Sequence, residues 1–239
     1  MIRIQFSRRE INVLYLAVIA LDAFFVFMNT PLMSLPQIEG KPAQIATVFD
    51  FIKYQLDLKL EQNVATWYSS VLLLAAATAA LLNARLAPAS SKLKWVHRVG
   101  WLSMAFVLIA LSADETATIH ETLAQLINFI NYGAGRPPVK VGAGDWIPIL
   151  LPVIILIAAG MIVFFSLLFR ICRRAALLAL GGVLCWIGAI FAESIEAGMW
   201  RLKMSRTLEG LIEESLEIVG TTLLLIAFTE FLRRRQASA

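Results

Sequence analysis

The sequence predicts an all-α integral membrane protein, a bundle of six transmembrane helices with both termini on the cytoplasmic side. Three observations predict it. The 239 residues are 59% hydrophobic and only 16% charged, against roughly 45–50% apolar and about 25% charged in a soluble domain. The mean hydropathy is +0.75. Six continuous apolar runs, at about 11–30, 66–86, 96–115, 147–169, 175–197 and 213–232, reach the ~20 residues that cross a ~30 Å hydrocarbon layer. Unbroken runs exclude the alternating strands of a membrane β-barrel. No internal repeat divides the chain, so residues 1–239 read as a single transmembrane domain.

Span 1, INVLYLAVIALDAFFVFMNT, is too long for the core of a signal peptide and has no A-x-A-like site after it. Segment 31–65 follows. In it Ile45, Val48, Phe49, Ile52, Leu56 and Leu60 recur at helical spacing, which predicts an amphipathic helix on the outer interface leading into span 2. The connection NYGAGRPPVKVGAGDW between spans 3 and 4 is loop chemistry, with Asp145 placed to cap span 4. Its glycines lack the Gly-Lys-Ser/Thr ending of a phosphate loop. Cys172 and Cys185 suggest neither a disulfide framework nor a metal knuckle.

Basic residues set the direction. Arg3, Arg8 and Arg9 precede span 1, and Arg85, Lys92, Lys94 and Arg98 lie between spans 2 and 3. Arg170, Arg173 and Arg174 lie between spans 4 and 5, and Arg233, Arg234 and Arg235 follow span 6. Alternating spans put all of these on one side, which makes both termini cytoplasmic. The formal charge of +4 then needs no nucleic-acid partner. Trp95 and Trp101 would mark the inner aromatic belt; Trp67, Trp146 and Trp200 would mark the outer one. His97 is expected at the solvated inner rim, and Glu230 is expected to pair with Arg233 and Arg234 along their helix.

The outer ends of spans 3, 5 and 6 carry acids. Counting 1.5 Å per residue, Asp114 stands about 24 Å above Arg98, Glu217 about 24 Å above Arg233, and Glu193 about 28 Å above Arg174. Glu196, Glu213 and Glu214 lie within about a turn of that level. Seven residues separate Asp114 from Glu121, so the two would share a helix face. Small residues lie beneath the acids: Ala175, Ala179, Gly182 and Ala189 in span 5, Gly220 and Thr221 in span 6, Ser103 and Ala110 in span 3. Small residues line close helix contacts in membranes, so the acids are expected to face the bundle interior. Carboxylates so crowded need compensation. Three forms are available: bound metal, shared protons, or basic residues such as Arg136, Lys140, Arg201, Lys203 and Arg206 reaching in from outer loops. Oxygen donors with one imidazole suit Fe, Mn, Zn or Ca better than copper.

Asp22 sits about 20 Å above Arg9, at a depth where an acid is costly and marks function by default, and Asn29 follows seven residues later. The other reading is an Asp hydrogen-bonded to a neighbouring helix. Glu61, Asn63, Thr66, Ser69 and Ser70 enter span 2 at the level of the acids, as an outer shell or as helix capping.

LEQNVATWYSS at 60–70, followed by SADETATIHE at 112–121, resembles a group of uncharacterised bacterial multi-pass membrane proteins with an Asp-Glu-x4-His-Glu signature, met here by Asp114, Glu115, His120 and Glu121. The resemblance implies a bacterial inner (cytoplasmic) membrane, with the outer side periplasmic, and no particular activity. Ceramidase-like and adiponectin-receptor-like hydrolases hold zinc with three histidines, whereas this chain has only His97 and His120, at opposite ends. Di-iron oxidases resembling the alternative oxidase use Glu-x-x-His pairs, whereas 193–196 and 214–217 read Glu-x-x-Glu.

The leading expectation is a divalent metal ion (Fe, Mn, Zn or Ca) near the periplasmic face. Its ligands would be Asp114, His120, Glu193, Glu196, Glu214 and Glu217, with Glu115, Glu121 and Glu213 as acid/base groups. The chemistry would be metal-dependent hydrolysis of, or redox reaction with, a lipid-borne or periplasmic small molecule. A proton- or cation-coupled transporter using Asp22 and Asn29, and an accessory subunit with membrane-complex partners, are the alternatives.

Overall fold

The computed structural model describes residues 8–30, 43–60, 62–86, 94–133, 146–196, 198–200 and 206–237. Among them stand eight helices and no strand: α1 (Arg8–Met28), α2 (Ala43–Leu56), α3 (Val64–Arg85), α4 (Lys94–Ala117), α5 (Ile119–Gly133), α6 (Ile147–Leu168), α7 (Arg173–Glu196) and α8 (Arg206–Ala237). Six of these, all but α2 and α5, are long and apolar enough to cross a membrane. The chain is a multi-pass helical membrane protein.

Two tightly packed pairs, α7 with α8 and α3 with α4, form the centre, and α3 on α8 joins them. α6 packs on α7 and touches α4, while α1 lies outside against α8. The expected small-residue faces of α7 and α8 are where this closest pair meets, whereas Ser103 and Ala110 of α4 are exposed. Ala175, Ala179 and Ala189 are fully buried. At Gly182 a Cβ would fall 2.8 Å from the Gly220 carbonyl oxygen, and at Gly220 a Cβ would fall 3.0 Å from that of Gly182. The two backbones therefore touch, a distance only glycine allows. α3 contributes an equivalent stripe in Ala76, Ala80 and Ala84. Between α6 and α7 the chain turns within a few residues, with Cys172 N–H donating to Leu168 O at 3.2 Å. Cys172 and Cys185 are both free thiols.

Several expectations need correcting. Trp101 is no belt residue. It is fully buried, with Phe164, Phe228 and Phe231 rings 5.3, 5.0 and 5.5 Å from its own. Gly100 makes room for the Phe164 ring. In α4 the buried face is therefore Trp101, Met104, Ala105, Leu108 and Ser112, and Ser103 is exposed. His97 is buried rather than solvated, with its Nδ1 3.4 Å from an Arg235 nitrogen. Arg235 also donates to Asn83 O at 2.8 Å, so the end of α8 is fastened to α3. Glu230 pairs with Arg233 as expected, at 2.9 and 2.5 Å.

At the other end, Asn63 explains how α2 leads into α3. Its Oδ1 accepts from Thr66 N at 2.9 Å as an N-cap, while its Nδ2 donates to the carbonyls of Tyr54, Asp57 and Leu60. A cap bond satisfies an orphan amide of the first helical turn. One buried amide thus holds the α2–α3 turn closed. Ser70 and Ser112 hydroxyls meet at 2.7 Å between α3 and α4. Asn63 and Ser70 thus serve capping and helix packing, while Thr66 also lines the acidic cavity described below.

Candidate functional site

A cavity of about 570 Å³ opens at the acidic end of the bundle, between α4, α6, α7 and α8. Its upper walls carry six carboxylates from three helices: Asp114 and Glu115 on α4, Glu193 on α7, and Glu213, Glu214 and Glu217 on α8. Lys59 and His120 are the basic groups on the same walls. Its deeper walls are apolar: Phe106 and Leu111 from α4, Ile154 and Ile157 from α6, Trp186 and Ile190 from α7. The α8 acids face inward because three- and four-residue spacing puts them on one face. Ala110 lines the cavity one turn below Asp114.

The α4–α5 junction sets the geometry at one wall. Helix α4 stops at Ala117, Thr118 takes a φ of +47°, and α5 begins at Ile119. Such a φ is costly for a β-branched residue, and the Asp114 side chain offsets it. Its Oδ1 accepts the His120 backbone N–H at 2.8 Å, and its Oδ2 accepts the His120 Nδ1–H at 2.7 Å. One carboxylate therefore caps the new helix and orients the imidazole. The His120 ring lies 5.0 Å from the Trp146 ring, and Trp146 Nε1–H donates to Glu193 Oε1 at 2.6 Å. Asp114, His120, Trp146 and Glu193 thus connect α4, α5, the start of α6 and α7. The Asp114 and His120 side chains are each 26% exposed, so both remain reachable.

This break corrects the expectation that Asp114 and Glu121 share a face of one continuous helix. They lie on different helices. α5 itself was not anticipated, although Ile119, Leu123, Leu126, Ile127 and Ile130 recur at helical spacing and were readable. The side chains of Glu121 and Glu196 lie outside the described residues, as do Glu61, Asp145, Lys140 and Lys203 and the side chains of Arg136, Arg201 and Arg206. The lysine found at the cavity is Lys59. At Gly210 on α8 a Cβ would lie 2.6 Å from Lys59 Cε and 2.7 Å from its Nζ, so the missing side chain lets the lysine reach across. Its position just before span 2, level with the acids, was the signal that could have found it.

Asp22 and Asn29 do not line this cavity. Asp22 is buried, accepting from Tyr68 Oη–H at 2.5 Å and Thr222 Oγ1–H at 2.7 Å. Asn29 donates to Phe25 O and Leu56 O, both at 2.8 Å, and accepts from Leu58 N–H at 3.0 Å. With Tyr15 Oη 2.6 Å from Thr229 Oγ1, these contacts attach α1, which buries only Asp22 and Phe25.

Among the described residues no three His, Cys, Asp or Glu side chains stand close enough together to hold a metal ion. Hard cations take oxygen ligands at roughly 2.0–2.6 Å, so the donors must meet within a few ångströms of one another. As they stand, the acids line a cavity rather than close on a point. The donor chemistry, oxygen-rich with one oriented imidazole, suits a divalent ion; the spacing would require glutamate side chains to move inward.

A family model described as a domain of unknown function (DUF8692) matches residues 12–231. The chain belongs to that family. The DUF8692 match runs from α1 into α8 and contains every residue that lines the cavity. It agrees with the resemblance to a group without established activity. Comparison with curated proteins and with solved structures returned no match.

Proposed function

We propose that this DUF8692 protein binds a divalent cation in the acid-lined cavity. The observation that supports this reading is six carboxylates from three helices on the walls of one partly apolar cavity. Charges taken out of water need pairing, and a divalent cation would pair with several of these carboxylates at once. The Asp114–His120 pair suits the same role, since metal-binding imidazoles are commonly oriented by a carboxylate on the other ring nitrogen. Glu193, Glu214 and Glu217 would swing inward as further ligands, and Glu196 belongs to the same end of α7. A bound ion would supply Lewis acidity and an activated water. Glu115, Glu121 and Glu213 would then move protons for a lipid-borne or periplasmic small molecule entering between the helices. In this reading the arginine-rich end would be cytoplasmic, as the distribution of basic residues favours, and the cavity would open at the periplasmic face of a bacterial inner membrane, as the family resemblance implies.

Equilibrium dialysis of the purified protein against Mn²⁺, Zn²⁺ and Ca²⁺ tests the proposal. Saturable binding of at least one ion is expected, weakened at least about tenfold in Glu214→Gln/Glu217→Gln and unchanged in Glu230→Gln, which lies outside the cavity. Failure of all three ions to bind saturably, or equal affinity in the double variant, removes it.

A second reading, proton or cation movement through the bundle, is favoured by one observation. Below Glu217 on α8, Thr221 and Thr222 are buried, and Thr222 donates to Asp22. In proteoliposomes Asp22→Asn should then abolish ion-driven flux; the same flux as the unmodified protein would end this alternative.

A further inference from the structure

At the arginine-rich end an open groove of about 600 Å³ runs between α7 and α8, far from the acidic cavity. Arg173 and Arg174 stand at its head on α7, and Arg234 faces them from the last turn of α8. Below them the groove is apolar, walled by Leu177, Leu178 and Leu223 and floored at Gly181. From Arg173 to Gly181 it follows α7 for about 12 Å. No carboxylate is among its described lining residues. Glu230, the acid of this stretch of α8, is engaged by both Nε and Nη2 of Arg233. The Arg173 guanidinium lies 5.5 Å from the Phe169 ring centroid, which holds it at the groove mouth.

We propose that this groove binds one anionic phospholipid, its phosphate among Arg173, Arg174 and Arg234 and an acyl chain along Leu177, Gly181 and Leu223. Charge and polarity together select this occupant. Three guanidinium groups on one rim complement a phosphate, which arginine recognises through paired N–H donors. The apolar slot directly beneath needs a hydrocarbon chain, and Leu177, 51% exposed, already faces the lipid side. Basic pockets between membrane helices commonly take such headgroups. Gly181 and Leu223 face each other across the slot, where a Cβ on Gly181 would reach ordinary contact with Leu223 Cδ1 at 3.7 Å.

Native mass spectrometry of the full chain in detergent, titrated with phosphatidylglycerol or phosphatidylcholine of the same acyl length, tests the assignment. The expected result is preferential retention of phosphatidylglycerol. Its affinity should fall on the order of tenfold to a hundredfold in Arg173→Gln/Arg174→Gln/Arg234→Gln. Arg85→Gln/Arg98→Gln removes two cations near the same end but outside the groove and should leave binding unchanged. Equal retention of phosphatidylcholine by the unmodified protein overturns the proposal, and this needs no variant to fold. So does equal loss in the two variants, which would indicate only general charge attraction. Displacement of the lipid by millimolar inorganic phosphate alone would replace the lipid site by a free-anion site and likewise overturn it.

Discussion

Gly182→Val is expected to destabilise the bundle by about 3 kcal/mol or more, because it separates the closest helix pair. A Cβ at this position would stand 2.8 Å from the Gly220 carbonyl oxygen and 2.9 Å from Leu224 Cγ. The leucine can rotate, but the carbonyl belongs to α8's own helical ladder and cannot. Relief therefore requires α7 and α8 to move apart, which loosens Ala175, Ala179 and Val183 from their buried contacts. Overpacking typically costs about 1–3 kcal/mol where side chains can adjust; a backbone obstacle puts this site at or above that range. Gly160→Ala on α6 is the matched control. Nothing lies within 4 Å of its added methyl, and helix propensity favours alanine by roughly 0.5–1 kcal/mol. Denaturant unfolding in mixed micelles should show a large loss for the first variant and none for the second. Equal behaviour would mean that α7 and α8 do not touch.

Asp22→Ala is expected to release α1. This helix buries little apolar surface, and in lipid no hydrophobic force presses it inward, since acyl chains are as apolar as its leucines. Polar contacts must hold it, and Asp22 makes two, to α3 through Tyr68 and to α8 through Thr222. Interhelical hydrogen bonds in membranes are worth about 0.6 kcal/mol on average and up to about 1.7. Losing both, together with the Phe25–Tyr68 ring stacking at 4.9 Å that they position, should cost roughly 2–3 kcal/mol. The loss should be local. Hydrogen exchange of α1 amides should quicken while α7 and α8 amides keep their protection. Asp22→Asn retains an acceptor and should lose about half as much. Uniform acceleration across the molecule would show that Asp22 supports the whole bundle instead.

The six crossings were legible because hydropathy over ~20 residues depends on the solvent, not on which neighbour a helix meets. The small-residue faces were legible for a related reason: only Gly and Ala permit the approach that α7 and α8 make. Helix α8 shows where this reasoning falters. It was expected from 213 and begins at Arg206, because Glu209, Glu213 and Glu214 lower its hydropathy although Glu209 is 4% exposed. A charge facing a cavity and a charge facing water look alike in sequence. Trp101 shows the same limit, since an indole near a span end enters the core when Phe164, Phe228 and Phe231 from two other helices surround it.

The sequence by itself determined the membrane crossings, the common level of the acids and the inward turn of the small-residue faces of α7 and α8. All three follow from counting along single helices of fixed rise and pitch. Tertiary structure alone decided that Asp114 bends back to hold His120, that Lys59 reaches over Gly210, and that Asp22 is answered by Tyr68 and Thr222. Those contacts join residues up to 200 positions apart, and no periodicity within one helix carries the azimuth of another.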